Sequence, residues 1–177
     1  MHPDDASTPR PLARWPPGIG RSRDIEAWNQ VPNDAPQVGN HDAARDALIV
    51  APRVLIVDDL PTNRRLMRRV LERARFVVSE AATGEAGLAA IRRDAPDAVV
   101  LDLALPGISG FEVARAIRAD RNAAVASTPI LACSASVQAE VRREALDAGC
   151  DAFEGKPFDV RTFPGLVEGL IAQRRPA

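Results

Sequence analysis

The chain has 177 residues, a formal net charge of −1 and a hydrophobic content of 46%. This length predicts one domain, with room for an appendage. The near-neutral charge argues against a surface built for nucleic acid or anionic lipid, so we expect neither nucleic acid nor a membrane among the partners. No apolar run approaches a membrane span, and the first residues do not resemble a signal peptide. The only cysteines, Cys133 and Cys150, lie in apolar surroundings, so we expect a cytoplasmic protein with reduced thiols.

Residues 1–51 differ in composition from the rest of the chain. Prolines recur at positions 3, 9, 11, 16, 17, 32 and 36, and no period of 2 or 3.6 is sustained. This pattern predicts a disordered, Pro-rich N-terminal tail over 1–51, with short helical islands at 24–31 and 41–50. The remaining residues, 52–175, are predicted to form one folded domain.

Apolar, β-branched stretches alternate with amphipathic stretches along the predicted domain. The apolar stretches are typical of buried parallel strands and lie within 53–59, 76–81, 98–102, 129–135 and 151–158. The amphipathic stretches are typical of helices: one spans roughly 62–74, and others begin at Thr83, at about Gly110, at Ser136 and at Thr162. Residues 120–128 are predicted to be a loop. Five strands and five helices in alternation predict an α/β fold with a doubly wound parallel sheet. We expect the order 2-1-3-4-5, which is the commoner one for five strands.

Polar side chains follow four of these strands, at the end where each strand stops. Asp58 and Asp59 follow the first, Asp102 ends the third, Ser134 ends the fourth, and Lys156 follows the fifth. Lys156 is the single lysine of a chain that otherwise uses arginine, which indicates a site that needs a compact cation. Since the carboxyl ends of parallel strands meet at one edge of a sheet, we expect all five side chains to converge.

This set of side chains predicts phosphoryl transfer that depends on magnesium. Clustered carboxylates need a cation, and hard oxygen ligands select Mg²⁺, with Asp58 and Asp59 as the ligands. Asp102, alone at the end of the central strand, is the candidate nucleophile that would form an aspartyl-phosphate. Lys156 and Ser134 would then contact oxygens of the transferred phosphoryl group.

At these residues the chain resembles the receiver domain of two-component response regulators, over about 52–173. The resemblance implies a flavodoxin-like fold in which Asp102 accepts phosphate from a sensor histidine kinase, a histidine phosphotransfer protein or a small phosphodonor. It also implies that Asp59 binds Mg²⁺ directly and Asp58 through water, with Asp102 and the carbonyl of Ala104 as further ligands.

The resemblance also carries expectations about the switch residues, one peptide bond and the downstream partner. Ser134 is expected to move toward the phosphoryl group, and Phe153 occupies the position of the aromatic side chain that turns inward with it. The Lys156-Pro157 bond is expected to be cis. The phosphorylated domain would then contact a downstream protein target, which makes the chain a phosphoacceptor rather than an enzyme acting on external substrates.

Three functions are compatible with these residues. The first is a receiver without an output domain, which signals by protein contact or passes phosphate onward. The second is an interaction module that is never phosphorylated. The third is an aspartyl-phosphate phosphatase of the haloacid-dehalogenase kind, which needs an acid two residues after the nucleophile. Ala104 stands at that position and counts against the third function.

Overall fold

The computed structural model describes residues 51–174. The predicted tail up to residue 50, including both helical islands, lies outside the described residues. Within the described part, no helix has the length and apolar character needed to cross a membrane.

One sheet of five strands forms the centre of the described fold. The strands are β1 (Arg53–Val57), β2 (Val77–Ala81), β3 (Ala98–Asp102), β4 (Ile130–Ser134) and β5 (Ala152–Gly155). All neighbours are parallel and the order is β2-β1-β3-β4-β5, which confirms the prediction. β3 and β4 are buried along their whole length, which explains why their sequences are apolar without alternation.

Six helices are described where five were predicted. They are α1 (Pro61–Arg73), α2 (Gly84–Asp94), α3 (Gly110–Arg118), α4 (Ala123–Ala126), α5 (Ala139–Asp147) and α6 (Phe163–Arg174). The additional helix, α4, lies within 120–128, so the prediction of a loop there is wrong. The Asn122 side chain caps α4 by accepting a hydrogen bond from the Ala124 backbone, and Val125 is buried. Periodicity does not detect a helix of four residues.

The start of α5 also differs from the prediction. Ser136 does not cap this helix, because α5 begins at Ala139 and follows Gln138, whose side chain makes no capping bond. Instead the Ser136 backbone N–H donates to Ser134 Oγ at 3.1 Å, so Ser136 belongs to the turn that leaves β4. The start signal at Thr83 is confirmed, since its hydroxyl accepts a hydrogen bond from the third residue of α2.

The sheet separates two hydrophobic cores. Alternate residues of β1 contribute to opposite sides: Leu55 and Val57 to one core, Val54 and Ile56 to the other. The first core is completed by α2, α3, α4 and α5, and the second by α1 and α6. Because both faces are covered, the carboxyl ends of the strands form a fixed platform for the polar residues that follow them.

Gly110 allows α3 to begin directly against the end of β3. Its backbone N–H donates to the Leu103 carbonyl at 3.2 Å, and Ser109 and Glu112 form a capping box just beside it. A Cβ atom at Gly110 would lie 2.2 Å from the carbonyl oxygen of Asp102 and 2.7 Å from Leu103 Cα. Backbone atoms would therefore have to move, including those that place Asp102.

The substitution Gly110→Ala is expected to destabilise the fold by about 2–4 kcal/mol, because the added methyl group overlaps the backbone. Gly169→Ala in α6 is the matched control. No atom lies within 4 Å of a Cβ there, so the change is expected to stabilise the helix by about 1 kcal/mol. Equilibrium unfolding in urea measures both. A Gly110→Ala variant as stable as the parent would show that the contact between the start of α3 and the end of β3 does not require glycine at this position.

Candidate functional site

The carboxyl edge of the sheet brings three carboxylates together. Asp58 and Asp59 directly follow β1, and Asp102 is the last residue of the adjacent strand β3. One carboxylate oxygen from each residue lies within 4.8 Å of the other two. Asp58 is completely buried, Asp102 is 5% exposed and Asp59 is half-buried. Three negative charges in so small a volume repel one another strongly unless cations lie between them.

Lys156 supplies one of these cations. Its Nζ donates to Asp102 Oδ2 at 2.7 Å and to Asp58 Oδ2 at 2.8 Å, and its side chain is 16% exposed. Burial alone would lower the pKa of Lys156, but the hydrogen bonds and charges of the two carboxylates outweigh it and raise the pKa above its ordinary value. The ammonium therefore stays charged and bridges β1 and β3 from the end of β5.

The two acids after β1 have different surroundings. Asp58 accepts hydrogen bonds at both oxygens: Oδ1 from the Leu60 backbone at 2.9 Å, and Oδ2 from Lys156, while the Asn63 amide reaches both. The Asp59 carboxylate accepts no hydrogen bond from the residues that the structure describes, so both its oxygens are available as ligands. Asp59 is therefore the open position of the cluster and Asp58 the anchored one.

Asn63 is a site residue that the sequence analysis missed. It lies in the first turn of α1, and its Nδ2 is 3.2 Å from Asp58 Oδ1 and 3.1 Å from Asp58 Oδ2. The sequence feature that could have indicated Asn63 was its position in the first turn of the helix after β1, because such a turn lies close to the end of the preceding strand. That position alone does not specify which side chain reaches the carboxylate.

The donor set fits a magnesium ion. Three carboxylates and one ammonium leave two negative charges to be balanced, and Mg²⁺ favours carboxylate and carbonyl oxygens together with water. Asp102 Oδ1 accepts from the Ala104 backbone N–H at 3.0 Å, and in the described part nothing donates to the Ala104 carbonyl. Asp59 and this carbonyl thus provide uncommitted oxygens. When bound, Mg²⁺ would offset the charge of the acids and of phosphate oxygens.

Comparison with known proteins connects this geometry to one family. The family model of the response regulator receiver domain matches residues 54–168. The chain belongs to the response regulator receiver family. Residues 51–174 are referred to below as the receiver.

Individual relatives agree with this assignment. The DNA-binding dual master transcriptional regulator RpaA of Synechocystis is 36% identical over 120 residues, which cover 68% of this chain and 49% of RpaA. The chain spans about half the length of the first curated relatives it matches.

Two solved structures share the fold of the receiver. A putative response regulator from Chloroflexus aurantiacus is 30% identical with a TM-score of 0.66, covering 70% of this chain and 99% of that one. The receiver domain of sensor histidine kinase PA1611 from Pseudomonas aeruginosa is 27% identical with a TM-score of 0.64, again covering 70% and 99%. That structure has a magnesium ion coordinated in its active-site cleft.

Ser134 of the receiver ends β4, the strand next to β3, and Phe153 lies on β5, one strand further from the acidic cluster. Ser134 is 6% exposed, and its Oγ accepts from the Ser136 backbone rather than contacting a carboxylate. Phe153 is half-buried against the first hydrophobic core, and its backbone pairs with Ala132 of β4. The Lys156-Pro157 peptide bond is cis.

Without Mg²⁺, Asp59→Asn is expected to stabilise the receiver by about 1 kcal/mol, because it removes one of three mutually repelling charges. With Mg²⁺ in hundredfold excess over its dissociation constant, the parent is expected to gain roughly 2.7 kcal/mol and the variant much less, so the order reverses. Thermal unfolding with and without Mg²⁺ measures both effects. Glu168→Gln controls for net charge, since this exposed α6 carboxylate has no described partner. Equal stabilisation of the parent and of Asp59→Asn by Mg²⁺ would contradict the assignment of Asp59 to a magnesium site.

Proposed function

We propose that the receiver is a magnesium-dependent phosphoacceptor and that Asp102 takes the phosphoryl group. The observation that supports this most directly is the Lys156 ammonium, hydrogen-bonded to both Asp102 and Asp58 where three carboxylates converge. The expected donor is the phosphohistidine of a sensor histidine kinase or of a histidine phosphotransfer protein. Asp58, Asp59 and the Ala104 carbonyl, with Asp102, are the proposed metal ligands.

The proposed step exchanges one bond to phosphorus for another. A carboxylate oxygen of Asp102 attacks phosphorus, an O–P bond forms, and the N–P bond to the donor histidine breaks. The leaving imidazole takes a proton from solvent. Lys156 already lies 2.7 Å from Asp102 Oδ2, so its ammonium needs little movement to contact an oxygen of the new phosphoryl group.

Ser134 is the proposed second contact to that group. Its hydroxyl oxygen accepts a hydrogen bond from Ser136, so the hydroxyl still has its own proton to donate. In the proposed switch this hydroxyl turns toward the phosphoryl group. The Ser134 carbonyl accepts from the Lys156 backbone N–H at 2.7 Å, which couples the end of β4 to the segment after β5. Phe153, half-buried on β5, would then turn further into the core and change the surface seen by a downstream protein.

The domain bounds, the partners and the location of the protein are also part of the proposal. The described fold begins with β1 at Arg53, which supports a folded domain over 52–175. The tail proposed over 1–51 lies, up to residue 50, outside the described residues. RpaA is named as a DNA-binding regulator. For the receiver we propose protein partners, because its expected signal is a change at a protein-contact surface.

Cys133 and Cys150 are both free and buried, which supports a reducing, cytoplasmic location.

Incubation with phosphoramidate and Mg²⁺ is expected to add one phosphoryl group per chain, read as a mass increase of the intact protein. Asp102→Asn is expected to abolish the adduct, because an amide is not a nucleophile toward phosphorus, and chelation of Mg²⁺ should do the same. Asp147→Asn is the matched control: this exposed α5 carboxylate has no described partner, so the adduct should persist.

Absence of an adduct on the well-folded parent chain would overturn the phosphoacceptor proposal. It would favour the interaction module that is never phosphorylated. In that case Asp102→Asn would leave partner binding unchanged.

A further inference from the structure

Arg64 contacts the turn that carries the two acids after β1. It lies in the first half of α1, and its side chain is 15% exposed. Its Nη1 donates to the backbone carbonyl of Asp58 at 2.7 Å and to that of Asp59 at 3.0 Å. One guanidinium nitrogen thus holds two consecutive peptide groups of the turn.

These two bonds matter most for Asp59. Asp58 is anchored through its own carboxylate by Leu60, Asn63 and Lys156. The Asp59 carboxylate receives no hydrogen bond from the described residues, so its direction depends on the backbone that carries it. Arg64 is the α1 side chain that bonds the Asp59 backbone itself, through the Asp59 carbonyl, among the described residues.

Glu80 holds Arg64 in place from the neighbouring strand. Its Oε2 accepts from Arg64 Nε at 3.2 Å, and its Oε1 accepts from Arg68 Nε. Burial alone would raise the pKa of Glu80, but the bonds and charges of the two arginines lower it below its ordinary value. Glu80 is therefore charged at neutral pH, and the chain of contacts runs from β2 through Arg64 to the acidic turn.

We propose that Arg64 is a positioning residue for the magnesium site, an inference that depends on the proposed phosphoacceptor function. By holding the carbonyls of Asp58 and Asp59, it keeps the Asp59 carboxylate directed at the site that it shares with Asp102. Arg64 touches neither the ion nor the phosphoryl group. It acts through the backbone of the residues that do.

Positioning and charge predict opposite effects of removing Arg64. A guanidinium near the site repels a divalent cation, so its charge alone would weaken magnesium binding, and Arg64→Met would then tighten it. If Arg64 orients the turn, Arg64→Met weakens binding instead. Residues that orient metal ligands typically contribute a factor of about ten or more to affinity. Arg64→Lys keeps the charge but loses the planar fork that serves two carbonyls and Glu80 together.

The experiment is calorimetric titration of the 177-residue chain with Mg²⁺. We expect the dissociation constant to rise roughly tenfold in Arg64→Met and by a smaller factor in Arg64→Lys. Arg68→Met is the matched control, because Arg68 bonds the same Glu80 but neither carbonyl of the turn. It should bind Mg²⁺ like the parent. Amide hydrogen exchange of Leu60 without Mg²⁺ should be faster in Arg64→Met, because the turn is less restrained.

The outcomes separate this inference from the proposed function. A parent chain that neither binds Mg²⁺ nor forms an adduct overturns both. A parent that does both, with Arg64→Met at an unchanged or lower dissociation constant, overturns the role of Arg64 alone. A fall in the number of sites at an unchanged dissociation constant means that Arg64 only supports folding, and this also overturns the inference. For phosphorylation we expect a higher Mg²⁺ requirement in Arg64→Met, with the rate largely restored at saturating Mg²⁺.

Discussion

The bridge from Lys156 to Asp58 and Asp102 is the interaction on which the site depends. Its two hydrogen bonds span sequence separations of 98 and 54 residues and join the ends of three strands. Two buried carboxylates so close together repel each other strongly unless a cation lies between them. The ammonium offsets this repulsion by donating to both carboxylates, and it places a cation beside Asp102, the proposed phosphoacceptor. An arginine would bring a broader fork to a place where both contacts converge on one nitrogen.

The rest of the fold supplies a rigid setting for this bridge. Residues on the two faces of the sheet are buried in separate cores. This packing holds the strands in register, so that their carboxyl ends lie side by side. Gly110 lets α3 start against β3 without displacing Asp102, and the hydrogen bond to Ala104 orients the other oxygen of that carboxylate. Within residues 51–174, the hydrogen bond that holds the third acid, Asp59, reaches its backbone carbonyl and not its carboxylate. The site thus combines an anchored carboxylate at Asp58, a carboxylate oriented by a backbone N–H at Asp102, and a carboxylate at Asp59 that receives no hydrogen bond from the described residues.

The predictions that succeeded were those set by composition and by strand topology. Apolar, β-branched stretches predicted the five strands, and parallel strands put the residues that follow them at one edge. The errors are local. The four-residue helix α4 begins at a side-chain cap from Asn122 and contributes one buried residue, Val125, to the core. Ser136 has the composition of a cap, yet its backbone is bound to Ser134 instead, and several bonding choices for such a residue are compatible with the same sequence.

The sequence by itself therefore determined the fold class and the types of side chain that meet at the edge, because hydrophobic pattern and the geometry of parallel sheets are properties of residue order. The strand order 2-1-3-4-5 was expected only as the commoner order for five strands, and the structure decided it. Only the tertiary structure decided that Lys156 bridges Asp58 and Asp102, that Asn63 clamps Asp58, and that Arg64 holds two carbonyls of the acidic turn. These contacts depend on turn paths and side-chain rotamers at separations of a few ångströms. No periodicity encodes such distances, because they arise only when distant segments are packed together.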